Sequence, residues 1–75
     1  MRVLYIILLF LNNQSLDSIF DSSNDLYTNG NYQMAVEGYQ SILTSGFESA
    51  ELYYNLGNAF YKLNNIPESN FFYEK

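Results

Sequence analysis

With 75 residues, no Cys and no His, the chain is one small domain at most, without a disulfide framework, the usual zinc ligands or the usual general base. Three Lys+Arg against eight Asp+Glu give a net charge of −5, which argues against nucleic acid and anionic lipid as partners, because no basic stripe exists to neutralise phosphates. Eight Tyr, six Phe and a single Pro make a globular composition with an aromatic bias, not a disordered one.

The first element, residues 1–15, reads as a targeting segment. Arg2 and the amino terminus give a positive start, and Val3 to Leu11 is an unbroken apolar run. That run fits a secretory signal and is too short for a transmembrane helix of about 20 residues. No A-x-A site follows it; Ser15 and Ser18 are the nearest small residues. An uncleaved short anchor and an N-terminal core helix are the alternative readings. Export to a bacterial periplasm or cell envelope is expected, and any membrane association would run through this segment or through a missing C-terminal part.

Helical periodicity starts near Asp17. The first helix is expected over 17–28 and stops at Asn29-Gly30, where Gly30 can take the left-handed conformation. Asn31 is the expected N-cap of a second helix over 32–44, which stops at Ser45-Gly46. Phe47 is expected to fold back on that helix as the apolar partner of its C-cap. Ser49 caps a third helix running to about Leu63, with Glu48 and Glu51 near its positive end. Asn64 stands where Gly30 stood and is the next best residue for positive φ. Pro67 then falls in the first turn of a fourth helix, where its missing N–H costs nothing. The pattern stops at Lys75 in mid-element, so a longer protein or an oligomer is expected.

These elements repeat. Shifted by 34 positions, the sequence aligns Ile19 with Tyr53, Phe20 with Tyr54, Asn24 with Asn58, Leu26 with Phe60, Tyr27 with Tyr61, Asn31 with Asn65, Ala35 with Ser69 and Tyr39 with Tyr73. One fixed offset without a gap marks two copies of a helical hairpin, residues 16–48 and 49–75.

At this period the chain resembles the tetratricopeptide repeat (TPR) family, whose pattern is W-x2-L-G-x2-Y…A-x3-F…P. Tyr53, Leu56, Gly57 and Phe60 carry Y-x2-L-G-x2-F, and Ser69 and Tyr73 carry S-x3-Y. The first unit is looser, with Ile19, Ser22, Ser23 and Leu26, then Ala35 and Tyr39, and Phe47 where the family has proline. More narrowly, the chain resembles exported TPR proteins of bacterial aerotolerance (Bat) operons, through Phe20, Asn24, Leu26-Tyr27, Gly30, Tyr32, Ala35, Tyr39, Ile42-Leu43, Gly46 and the run from Leu52 to Leu63. Those proteins usually continue into further repeats and membrane segments. The resemblance implies an all-α fold, a short solenoid of about 1.75 hairpin repeats.

In that fold, Ser23, Ala35, Gly57 and Ser69 lie where helix axes approach, and small residues there permit close packing. Tyr39, Leu56, Phe60 and Tyr73 complete the packing motif. Leu26, Leu56, Phe60, Ile42 and Leu43 are expected in the core.

First helices of TPR units line a concave groove. By that resemblance the groove residues are Phe20, Asn24 and Tyr27 in unit one and Tyr54, Asn58, Tyr61 and Lys62 in unit two, with Asp17, Thr28 and Glu51 beside them. An Asn amide offers donor and acceptor to an extended peptide, and the aromatics are of the type that dominates interfaces. Packing against a further repeat is the plainer explanation of the aromatics. One TPR subfamily grips a terminal carboxylate with Lys and Arg; here Phe20 and Tyr54 stand in the lysine places, and Lys62 is the single groove cation. A carboxylate clamp is therefore not expected.

Catalysis is not expected. Asp21 and Asp25 sit at i, i+4, where they repel mildly in solvent, and there is no phosphate loop or Ser-nucleophile motif. The expected function is a non-catalytic protein-interaction module binding a neutral or basic peptide or helix, without cofactor or metal. The alternative is a purely structural array that stacks with further repeats or self-associates.

Overall fold

A computed structural model describes residues 15–75; the apolar run assigned to targeting lies outside the described residues. The described residues are all-helical, with four helices and no strand: α1 (Leu16–Thr28), α2 (Tyr32–Thr44), α3 (Ala50–Lys62) and α4 (Ile66–Tyr73). Each packs on the next in chain order, so the chain forms helical hairpins. No described helix is long and apolar enough to cross a membrane.

The turns follow from their residues. Gly30, Gly46 and Asn64 have positive φ, at 83°, 98° and 60°. At the end of α1 the Gly30 N–H bonds to Tyr27 O at 3.0 Å and the Asn31 N–H to Leu26 O at 2.8 Å. At the end of α3 the Asn64 N–H bonds to Tyr61 O and the Asn65 N–H to Phe60 O, both at 2.9 Å. This pair of bonds is the Schellman closure, which satisfies the last carbonyls of a helix. Asn31 and Asn65 therefore act through their backbones. Contrary to expectation, the Asn31 side chain caps nothing: its φ of −87° and ψ of 65° lie outside the extended region that N-capping requires. Ser49 is extended, and its Oγ accepts from the Leu52 N–H at 3.0 Å. Ser15 does the same for Ser18 at 3.1 Å. Pro67 sits in the first turn of α4.

Phe47 departs from its expected role. Gly46 makes its turn bond to Leu43 O, but the second Schellman bond is not formed, because the chain runs on into the extended Ser49 cap. Phe47 remains 50% exposed.

The core comes from the two central helices: Ala35, Val36, Tyr39 and Ile42 of α2 with Leu52, Leu56, Ala59 and Phe60 of α3. Each large aliphatic chain buried there stabilises by about 1.5–3 kcal/mol. Leu26 and Leu43, expected inside, are half-buried against its edge. Tyr73 lies with its ring beside Gly57 and is 44% exposed, whereas its repeat equivalent Tyr39 is 1% exposed.

Close approach explains the small residues, differently in each hairpin. A Cβ on Gly57 would lie 2.5 Å from Cδ1 and Cε1 of Tyr73, and the buried Ser69 Oγ donates to Gly57 O at 2.8 Å. In the first hairpin Ser23 takes the place of Gly57, and Gly38 stands opposite, where a Cβ would run into the Ser23 hydroxyl. The small residue has crossed the interface. Ser23 satisfies its own Oγ on Ile19 O at 2.8 Å.

Candidate functional site

The helical register of α1 and α3 brings Asn24, Tyr27 and Thr28 together with Asn55 and Asn58 around one open recess of about 180 Å³, with Tyr39 of α2 at its base. Three of the seven expected groove residues, Asn24, Tyr27 and Asn58, thus share one site, with Thr28 beside them. Tyr27 is half-buried, its ring edge-on to Tyr32 at 5.3 Å.

The two asparagines are organised from within the fold. The Tyr39 hydroxyl donates to Asn24 Oδ1 at 2.5 Å, and Asn55 Nδ2 donates to the same oxygen at 3.1 Å. The repeat makes the first bond again, from the Tyr73 hydroxyl to Asn58 Oδ1 at 2.5 Å. Asn24 Oδ1 thus takes two donors within the protein, while Asn58 Oδ1 takes one at an exposed position. The Nδ2 groups of Asn24 and Asn58 donate to nothing among the described residues. No buried side-chain polar atom there lacks a partner, so both amides reach solvent. The amides offer a ligand donors; their oxygens set the orientation.

Burial of Tyr39 pushes its phenol up to about 12, so it stays a hydrogen-bond donor across the physiological range. Tyr53 is also pushed up, chiefly by the Glu48 carboxylate that accepts from its hydroxyl.

The remaining expected residues lie elsewhere. Phe20 is half-buried on the core, its ring 5.8 Å from that of Tyr39. Its outer edge joins Leu16, Asp17, Phe47, Ser49 and Glu51 around a neighbouring recess with an acidic rim. Tyr54 is exposed and tilts against Tyr73 at 6.1 Å. Tyr61 and Lys62 are exposed and do not line the Asn24 recess. They hold in the second hairpin the places of Tyr27 and Thr28, but no helix of a third hairpin follows among the described residues to make the opposite wall.

Asn55 and Tyr39 are site residues that the sequence reading did not place there. Asn55 lies at i, i+3 from Asn58, which is a signal for one helix face. Its repeat equivalent is Asp21, so the register concealed it. Among the described residues no cluster of three or more acidic, His or Cys side chains is placed to hold a metal.

No family model matches the chain, and no curated protein or solved structure matches it.

Proposed function

We propose that this chain is a TPR-type helical repeat protein that binds a peptide or helix across α1 and α3, as an exported, non-catalytic scaffold. The repeat assignment is supported by helix starts, left-handed turn residues and Schellman bonds that recur at the 34-residue period. One observation carries the binding role. Two asparagines one repeat apart have amide donors free for a ligand, each side chain held in orientation by a tyrosine hydroxyl. Donors spaced along a helix pair suit the carbonyls of an extended ligand, each bond contributing about 1 kcal/mol. The acidic rim at Asp17 and Glu51 and the net charge of −5 favour a neutral or basic ligand.

The test uses Asn24→Asp with Asn58→Asp. These variants keep the acceptor oxygen for the tyrosines and remove the donor. A peptide selected from a random display library against the native chain should lose binding to the double variant in calorimetry, with circular dichroism unchanged. Undiminished binding would remove the groove assignment.

A second reading is a structural one, in which the hairpins serve to stack with further repeats or to self-associate. It is favoured by the exposed aromatic side chains of α3 and α4, Tyr54, Tyr61, Phe71 and Tyr73.

A further inference from the structure

The hydrogen bonds around Asn24 leave its recess with a donor and an acceptor side by side. Asn55 Nδ2 donates to Asn24 Oδ1 at 3.1 Å, and the Tyr39 hydroxyl donates to the same oxygen at 2.5 Å. Two donors on that oxygen hold the Asn24 amide nitrogen outward. Asn55 is equally fixed: turned over, it would set its own oxygen against Asn24 Oδ1, acceptor against acceptor. Asn55 Oδ1 accepts nothing among the described residues and is not a buried orphan, so it reaches solvent as the Asn24 amide does.

The recess of about 180 Å³ is lined by both residues. There α1 offers a donor, Asn24 Nδ2, and α3 an acceptor, Asn55 Oδ1. One ligand group can meet both only if it carries C=O and N–H on the same edge. A primary carboxamide does, because one N–H of its NH2 lies cis to the oxygen. A trans peptide unit does not, because its N–H and C=O point in opposite directions. Nor can it pass between the two asparagines, which already touch at 3.1 Å. A carboxylate has no donor and would bring charge against Asn55 Oδ1.

We propose that this recess is a seat for a primary carboxamide, the side chain of a Gln or Asn in the ligand. The carboxamide oxygen accepts from Asn24 Nδ2, and its N–H donates to Asn55 Oδ1. Tyr27, on the same recess, gives an aromatic wall for the methylene stem. Asn58, at i+3 from Asn55 and with its own amide free, is left for a main-chain carbonyl of the same ligand. Asn55 is then the specificity-determining residue, and the seat rejects Glu and Asp. This rests on the groove reading above and names the side chain that the groove selects.

The experiment titrates the full chain with the N-methylamides of N-acetylglutamine, N-acetylglutamate and N-acetylmethionine. These probes share their trans peptide units and differ in the side-chain end alone. The side-chain NH2 signals of Asn24, Asn55 and Asn58 are followed by NMR. The Gln probe should shift Asn24 and Asn55 saturably. The Glu and Met probes should bind at least about tenfold more weakly, because each leaves Asn55 Oδ1 without a donor. The neutral Met probe separates this loss from plain charge repulsion. In an Asn55→Ala chain the Gln probe should bind about fivefold more weakly, the loss of one hydrogen bond. Unchanged Gln affinity in that variant would overturn the proposal, as would a Glu probe equal to the Gln probe. Equal Gln and Met affinities would overturn it alone, since the shared peptide units would then carry the binding that the groove reading requires. Silent Asn24 and Asn55 signals up to the solubility limit of the Gln probe would also overturn it. If the Asn24→Asp/Asn58→Asp chain then keeps its display-selected peptide, the groove reading falls as well.

Discussion

The first hairpin is closed and the second is open, although they use the same parts. Tyr39 and Tyr73 lie one repeat apart, each donates to an asparagine oxygen at 2.5 Å, and each meets an aromatic ring from the same helix position. One is 1% exposed and the other 44%. Residue type sets the constellation; the neighbouring helix sets its burial, and burial decides what each bond contributes.

The largest break in this comparison is expected from Leu56→Ala. Leu56 is fully buried, and its loss should cost about 2–5 kcal/mol in urea denaturation. The equivalent Ser22→Ala is on an exposed face and should stay within about 0.5 kcal/mol of the native chain. Similar losses at both would show that the hairpins do not share this asymmetry.

Alkaline pH is the next probe. The folded-state pKa of Tyr39, about 12, is raised above the unfolded value of about 10. Its contribution is therefore complete below pH ~10 and disappears as pH rises through ~12, an order of about 3 kcal/mol. Urea midpoints should fall over that window, and Tyr39→Phe should flatten the fall. An unchanged slope in the variant would remove Tyr39 from the account.

Gly57→Ala is the smaller test. The added methyl meets the Tyr73 ring at an overpacking cost of about 1–3 kcal/mol. Helix propensity returns about 1 kcal/mol. A net loss of about 0–2 kcal/mol is expected, with the Tyr73 ring displaced and its bond to Asn58 broken. A native Tyr73 spectrum would show that the close approach imposes no constraint.

The helix boundaries and left-handed turns were legible because they depend on local chemistry: Gly30, Gly46, Asn64, Ser49 and Pro67 each act within their own turn. The site was half legible. Asn24, Tyr27 and Asn58 were expected from the repeat resemblance, but the tyrosine bonds to the two Asn oxygens were not. Tyr39 reaches Asn24 across 15 residues and Asn55 reaches it across 31, and no local pattern records such bonds. Gly38 was missed because it breaks the repeat, standing where unit two has Phe72. Asn31 misled because a Schellman closure used its backbone in place of its side chain.

The most direct test is a pair of double-mutant cycles, Asn24→Ala with Tyr39→Phe and Asn58→Ala with Tyr73→Phe, read by chemical denaturation. Both pairs should couple favourably, the buried first pair by about 0.5–1.5 kcal/mol and the open second pair by clearly less. A second coupling equal to or larger than the first, or none at the first, would contradict the claim that one repeated constellation is closed in the first hairpin and open in the second.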